Sequence, residues 1–166
     1  MRRLTLFTVL LTTGLNLAGP VRAACTDTPA PGVDWRRCYM DERQFVNQDL
    51  TGAKLKDATF ARADLSGTTL VRADARRVKF FTTRLVDAVF DEARLMGADF
   101  TRADLTGASF RGADMRLARF FEAIMRGVDL TNARLSGADL LNADLTGAIW
   151  TNGETVCSAG SIGQCN

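Results

Sequence analysis

The sequence contains no histidine, and this absence removes the side chain on which most general-base catalysis depends. Neither a Ser/His nor a Cys/His pair can form without it. Tyr39 is the only tyrosine, and no Cys-x-x-Cys motif is present that would indicate a redox or zinc site. We therefore predict that the protein is not an enzyme and that it holds no metal and no cofactor.

Long apolar runs are also scarce, because large apolar residues are spread singly at every fifth position from Trp35 to Trp150. Of these 24 positions, 23 hold Leu, Phe, Met or Trp, and Ala75 is the exception. A period of five scatters side chains around a helix and alternates them between the faces of a strand, so neither element fits. A backbone that turns about 90° after every five residues would instead point each large residue at one axis.

The position two residues before each large residue is small. From residue 53 to residue 148 it is alanine at 16 of 20 positions. The other three positions of each repeat are mostly Asp, Arg, Thr, Asn and Gly, which we expect to face water. Carboxylates therefore recur by repetition alone, and their proximity is no evidence for acid–base chemistry.

The segments "ADLSG", "ADLTG" and "ARLSG" resemble the A(D/N)LXX motif of the pentapeptide repeat family. The resemblance covers residues 33–152 and is weakest at the start, where Val33, Cys38, Arg43 and Gln48 fill the small position. It implies an all-β fold, a right-handed quadrilateral β-helix with four pentapeptides per coil. Residues 33–152 would then form about six coils, stacked over roughly 25–30 Å at the spacing of β-strands.

Residues twenty apart would stack directly in such a coil. One interior column then contains Phe60, Phe80, Phe100 and Phe120 in succession. We interpret these columns as core and not as a cofactor site.

The first 23 residues have the features of a secretory signal peptide: Arg2 and Arg3, an apolar stretch, Pro20 and a small-residue ending at Ala23. The apolar stretch, from Leu4 to Ala18, is shorter than a membrane anchor requires. A lipoprotein signal acylated at Cys25 is the less favoured alternative, because Arg22 stands where an aliphatic residue is expected. We predict a periplasmic or secreted protein whose mature chain has no transmembrane segment.

Two of the four cysteines lie at each end of the rod and none lies between, and export would permit disulfides. A bond from one flank to the other would have to span the rod, far beyond the roughly 7 Å limit between Cα atoms. We therefore predict Cys25–Cys38, which would tie an N-terminal cap segment (24–32) to the first coil, and Cys157–Cys165 within a C-terminal cap (153–166). Trp35 and Trp150 would fill the two ends of the rod. A capped solenoid avoids exposed strand edges and end-to-end association.

Some members of the resembled family mimic DNA and protect gyrase from inhibitors. That role needs a strongly negative surface. Removal of residues 1–23 leaves 18 basic and 19 acidic side chains, a net charge of −1. The favoured function is a non-catalytic interaction or scaffold protein of the bacterial envelope, and the gyrase-protecting mimic is the alternative. We expect no nucleic-acid partner.

Two surfaces are candidates for partner contact. Nine cations would share one wall of the coil with only four aspartates, and we call this surface the basic face: Arg36, Arg37, Lys54, Lys56, Arg76, Arg77, Arg94, Arg116 and Arg134. An anionic envelope component, such as lipid headgroups, lipopolysaccharide phosphates or acidic glycans, would suit it. The other candidate is an apolar strip for a protein partner: Phe81, Phe121 and Leu141. The sequence predicts no oligomeric state.

Overall fold

The computed structural model describes residues 25–166. The predicted signal peptide, residues 1–23, lies outside the described residues. The described chain forms no extended strand and is held by isolated β-bridges. Between residues 25 and 166 there is no helix long and apolar enough to cross a membrane.

Parallel bridges join every fifth residue, the one before each inward residue, to the residue twenty positions further along, from Asp34↔Lys54 to Asp129↔Ile149. The chain therefore winds at twenty residues per coil, with four five-residue segments in each. We name the four walls after their first inward residue: the Trp35, Met40, Phe45 and Leu50 walls.

Each corner of the coil is a tight turn. The N–H of the small residue donates to the carbonyl of the preceding large residue, as in Ala98 to Leu95 at 2.9 Å. The second corner residue has a positive φ at all 23 positions from 37 to 147, and only eight of these are glycine. This combination is typical of a type II turn. Even β-branched Thr82 adopts φ 54°, so the stacking of coils, and not local preference, dictates the corner.

The coils are joined by a repeating set of three backbone hydrogen bonds per segment. In one segment, Leu65 donates to Arg84 at 2.8 Å, Gly67 donates to Val86 at 2.8 Å, and Asp64 donates to Arg43 at 3.0 Å. Each hydrogen-bonding residue lies directly above its partner in the neighbouring coil. The N–H and carbonyl groups of the inner coils are therefore hydrogen-bonded although no long strand is present.

The core is a set of columns of large side chains separated by buried alanines. The predicted phenylalanine column is present: ring centroids lie 5.5 Å apart for Phe60–Phe80, 5.1 Å for Phe80–Phe100 and 5.0 Å for Phe100–Phe120, all stacked. Phe100 also meets Phe110 of a neighbouring column edge to face at 5.8 Å. These are the preferred aromatic geometries.

The N-terminal end of the rod is closed. Cys25 is bonded to Cys38, as the sequence predicts. Trp35 is buried, with its ring 5.3 Å from that of Phe45. Its indole Nε1 has no hydrogen-bond partner among the described residues.

The C-terminal end is only half covered, although Cys157 is bonded to Cys165 as predicted. The cap pairs through Val156↔Ile149 and Ile162↔Asp144, and so it lies over the Leu50 and Phe45 walls. Trp150 and the inward residues of the other two walls remain only partly buried. The cap is too short to complete another coil, which is why the end is not sealed.

We expect Phe100→Ala to lower the free energy of unfolding by about 3–5 kcal/mol, because it removes the centre of the aromatic column and leaves a cavity. The measurement is chemical denaturation of the purified chain. Phe81→Ala is the matched control, since Phe81 lies outside the core and is 37% exposed. Equal losses in the two variants would contradict the column as the centre of stability.

Candidate functional site: a basic face

The structure brings all nine predicted cations to the outer surface and following corner of the Trp35 wall. Four aspartates share this surface: Asp34, Asp57, Asp74 and Asp114. The face therefore carries a net charge of +5. The other three walls together carry nine cations and thirteen carboxylates. Charge is therefore distributed unevenly, with a positive Trp35 wall and a net negative charge on the other three walls, although residues 25–166 are close to neutral overall.

Opposite charges alternate along the bridged column of the basic face. From the first coil to the last the column contains Asp34, Lys54, Asp74, Arg94, Asp114 and Arg134. Neighbours in this column are cross-strand pairs, for which opposite charges are favourable. In this column each coil therefore carries the charge opposite to that of the coil before it.

Arginines of a neighbouring column, two residues after the aspartates in sequence, each donate two hydrogen bonds to an aspartate of the first column. Arg76 donates from Nε and Nη2 to the two oxygens of Asp74, both at 2.6 Å. Arg116 makes the same fork with Asp114 at 2.7 Å, and Arg36 with Asp34 at 2.8 and 2.6 Å. Such bidentate pairs hold the guanidinium in one orientation.

Each of two aspartates also lies near a second arginine, from the next coil. Arg94 lies 3.9 Å from Asp74, and Arg134 lies 3.8 Å from Asp114. One carboxylate thus stands between two guanidinium groups. Five of the six coil levels of the face carry a net charge of +1, and the level of Asp114 and Arg116 is neutral.

The pKa values show that these charges are fixed. The hydrogen bonds from Arg76 hold the pKa of Asp74 below its ordinary value, against the opposing effect of burial. Arg116 lowers the pKa of Asp114 in the same way. The aspartates in turn raise the pKa values of Arg76 and Arg116. Both shifts favour the charged forms, so the aspartates are ionised and the arginines protonated at neutral pH.

The remaining cations of the face differ in their contacts. Arg77 is paired with Asp57, at 2.7 Å, but its side chain is still 56% exposed. Arg37, Lys54 and Lys56 make no ion pair within 4 Å in the described part of the chain. The face therefore contains both paired and unpaired cations among the described residues.

A shallow groove of about 400 Å³ borders the basic face. The groove opens at the corner of the Trp35 wall, where Gly97 lies between Arg77 of the preceding coil and Leu117 of the following coil. Its other side is formed by three residues of the Met40 wall: Lys79, Asp99 and Arg119. Sequence reasoning missed Lys79 and Arg119 because it counted charge one wall at a time. Gly97, which has no side chain and lies between the larger corner residues Arg77 and Leu117, is the feature of the sequence that indicates a groove here.

The predicted apolar strip lies on the Met40 wall, directly after the inward residues. Leu141 is 59% exposed, while Phe121 is more buried than Phe81. Thr101 separates the two phenylalanines in the column. Six large apolar side chains outside the prediction are more exposed than Phe81: Tyr39, Val46, Leu117, Ile124, Val156 and Ile162.

Within residues 25–166 the structure contains no free cysteine and no group of three His, Cys, Asp or Glu side chains placed to hold a metal ion.

Comparison with known proteins identifies similar chains. The family model described as pentapeptide repeats matches residues 44–80, 83–120 and 113–149. A comparison with curated protein sequences found no significant match.

Two of the solved structures that resemble the fold show the extent of the similarity. One is HetL, a pentapeptide repeat protein involved in heterocyst differentiation regulation from the cyanobacterium Nostoc sp. strain PCC 7120, with 29% identity over 74% of this chain and a TM-score of 0.53. The other is trypsin-treated QnrB1, a plasmid-mediated fluoroquinolone resistance protein, with 22% identity over 71% of this chain and a TM-score of 0.54. This chain spans 64% of HetL and 63% of QnrB1, less than two thirds of either. Both resemble it in forming a right-handed quadrilateral β-helix.

We expect Asp74→Asn to destabilise the fold by about 0.5–1 kcal/mol at neutral pH, in the range of partly exposed ion pairs. A carboxyl whose pKa is lowered by folding contributes stability above its unfolded pKa of about 3.9 and loses that contribution as the pH falls through the folded value. The difference between wild type and variant should therefore vanish in acid. Urea unfolding at a series of pH values measures it.

The control is Asp27→Asn, which alters an exposed carboxyl of the N-terminal cap that makes no ion pair within 4 Å in the described chain. It should change the stability little at any pH. A difference for Asp74→Asn that persists unchanged into acid would contradict the role of the ionised pair.

Proposed function

We propose that this chain, which belongs to the pentapeptide repeat family, is a non-catalytic binding or scaffold protein of the bacterial envelope that holds an anionic partner against its basic face. Pentapeptide repeat proteins are generally non-enzymatic, and this sequence has no histidine for general-base chemistry. The observation that carries the proposal is the net charge of +5 on one wall of a rod that is close to neutral.

The spacing of the basic face favours a partner with repeated anionic groups. Arg36, Arg76 and Arg116 stand two coils apart from one another, or roughly 10 Å at the spacing of β-strands. Their forks with the aspartates hold them in a regular row, so binding would cost little side-chain ordering. Lipid headgroups, lipopolysaccharide phosphates and acidic glycans all present negative charge in arrays, and the summed field of the wall would attract them.

Export is the second part of the proposal. The two disulfides each close a short loop at one end of the rod, with sequence separations of 13 and 8 residues. Disulfides persist in oxidising compartments such as the periplasm. Together with the signal-peptide features of residues 1–23, they support a periplasmic or secreted protein.

Reversal of four arginines within the rod tests the binding proposal: Arg76→Glu, Arg77→Glu, Arg94→Glu and Arg116→Glu. We expect the wild-type protein to bind anionic vesicles or lipopolysaccharide, to weaken as salt rises from about 20 to 300 mM, and to lose binding in the quadruple variant. Vesicle flotation and titration against lipopolysaccharide distinguish the two sources of phosphate. Circular dichroism checks that the fold is kept.

The chain offers a control with the same change of net charge on other walls: Arg72→Glu, Arg84→Glu, Arg111→Glu and Arg126→Glu. This variant should retain most of the binding. Wild-type binding that is absent or independent of salt would refute the proposal, as would equal losses in the two quadruple variants.

A gyrase-protecting DNA mimic is the alternative function. The similarity to QnrB1 supports the shared fold alone, and residues 25–166 carry 18 basic and 19 acidic side chains, far from the strongly negative surface that DNA mimicry needs.

Cell fractionation separates the two functions. We expect the protein in the periplasm or medium, with mass spectrometry showing a chain that begins at Ala24, because residues 1–23 have the features of a cleaved signal. A tagged variant without residues 1–23 should stay in the cytoplasm. An uncleaved chain that stays in the cytoplasm would contradict the envelope function and favour the gyrase-protecting DNA mimic.

A further inference from the structure

The groove beside Gly97 is open because the side chains on both of its sides lean away from it. Arg77, at this corner of the preceding coil, reaches back to Asp57, with Nε 2.7 Å and Nη2 2.9 Å from the two carboxylate oxygens. Leu117, at this corner of the following coil, leans the other way, since a Cβ added at Gly137 would lie 2.8 Å from its Cδ2. Gly97 has no side chain to fill the space between them. Contacts with the outer coils therefore hold the groove open.

Two cations of the groove are not engaged by carboxylates. The bridged column of the Met40 wall places Asp99 between Lys79 and Arg119. Neither cation forms an ion pair within residues 25–166. The sequence explains this, because the residue two positions after Asp99 is Thr101 and not an arginine, and its N–H donates to Asp99 Oδ1 at 3.0 Å. The groove therefore presents free positive charge.

The groove also contains hydrogen-bond acceptors. The carbonyls of its three corner residues, Arg77, Gly97 and Leu117, accept no hydrogen bond within residues 25–166. Asp99 uses one carboxylate oxygen for Thr101 and has a second. Backbone and carboxylate oxygens of this kind take their partners from water or from a bound molecule. A ligand that fits must therefore bring hydrogen-bond donors as well as negative charge.

One end of the groove is apolar. The side chain of Leu117 is 64% exposed there, beside the exposed side chain of Arg119. An aliphatic side chain next to charged and polar groups suits a ligand that has an apolar face of its own. The C–H face of a pyranose ring is such a surface, and the hydroxyls at the rim of the ring supply donors.

The size of the groove is that of a small-molecule site. Its volume is about 400 Å³, and small-ligand sites span roughly 300–1,000 Å³. It extends over two coil spacings, or roughly 10 Å at the spacing of β-strands. Three cations and one carboxylate line it, which gives a net charge of +2.

We propose that this groove binds an acidic sugar unit of a glycan, a pyranose that bears a carboxylate or a phosphate. The anionic group pairs with the free cations Lys79 and Arg119. The hydroxyls donate to Asp99 and to the carbonyl of Gly97, and the C–H face of the ring packs on Leu117. The inference rests on the proposed function, an anionic partner on the basic face, and names the class of that partner.

Asp99 distinguishes a sugar from a bare anion. A phosphate ion or a lipid phosphate brings negative charge alone and is repelled by this carboxylate, which lies between the two cations. A hydroxyl beside the same carboxylate donates a hydrogen bond to a charged acceptor, which is stronger than a bond between neutral groups. The combination therefore favours a ligand that carries both kinds of group.

Ligand titrations of the isotope-labelled purified protein, followed by nuclear magnetic resonance, test the proposal. The probes are glucuronate, glucose-6-phosphate, glucose and inorganic phosphate. We expect at least one acidic sugar to shift the amide signals of Gly97, Asp99 and Leu117, and to bind at least about tenfold more tightly than glucose or phosphate. The one that binds identifies the anionic group as a carboxylate or a phosphate. Equal binding of inorganic phosphate, or no shift of these amides with either acidic sugar, would overturn the proposal.

Gly97→Leu fills the groove without changing its charge. A Cβ at this position would lie 3.5 Å from Arg77 Cγ, an ordinary contact, and Leu117 shows that leucine adopts the same corner conformation, at φ 60°. We expect the variant to bind the acidic sugar at least about tenfold more weakly. Gly127→Leu is the matched control, because Gly127 is a corner glycine of another wall, at φ 64° with open space around it. Equal affinities of the two variants would contradict a site at Gly97.

A second pair of variants tests the cations and leaves the groove open. K79Q/R119Q should weaken the binding of the acidic sugar at least about tenfold, because it removes both free charges. R72Q/R84Q makes the same change of net charge on other walls and should bind as the wild type does. Unchanged binding in K79Q/R119Q would overturn the proposal even if Gly97→Leu did not fold.

The same proteins distinguish failure of the groove from failure of the proposed function. Salt-dependent binding of anionic vesicles or lipopolysaccharide with no binding of either acidic sugar would overturn the groove and leave the basic face as a binding surface. Binding of an acidic sugar that Gly97→Leu abolishes, with no binding of vesicles or lipopolysaccharide, would support the groove and refute the broader proposal.

Discussion

The backbone hydrogen bonds between coils are the constraint on which the rest of the structure depends. Each five-residue segment pairs through only three such bonds, and these require that the coil return to the same level after twenty residues. A return of that kind needs four corners, and each corner needs a residue at positive φ. Arginine, glutamate, leucine and threonine are all held there. The local cost of those conformations is therefore smaller than the cost of leaving a whole level of backbone unpaired.

The repeat also controls the surface. Because residues twenty apart are stacked, a charge placed once in the sequence determines what its neighbours in the column must be. On the Trp35 wall this places aspartates between cations. The paired hydrogen bonds of Arg76 with Asp74 and of Arg116 with Asp114 hold these two guanidinium groups in one orientation. Positive charge is concentrated on one wall while the residues described remain close to neutral. The field of such a wall is the sum of many charged groups and does not depend on one pocket.

The two ends solve one problem in different ways. At the N-terminal end, a disulfide and the buried Trp35 close the first coil. At the C-terminal end, a disulfide holds a cap that pairs with half of the last coil and leaves the other half open. A solenoid gains stability with each coil but cannot pair the backbone of its own terminal layer, so each end requires a cap of different structure.

The sequence by itself determined the period, the inward and outward positions, the family and the cysteine pairing. Each of these depends on spacing along the chain: Phe60 and Phe80 stack because they are twenty residues apart, and Cys157 pairs with Cys165 because no other cysteine is near. It also placed the nine cations on one wall. Only the tertiary structure showed that Arg76 and Arg94 share Asp74, that Gly97 opens a groove between two walls, and that the cap leaves Leu135 and Leu140 partly exposed. These features depend on side-chain orientation and on where an irregular loop comes to rest, and neither follows from a repeat.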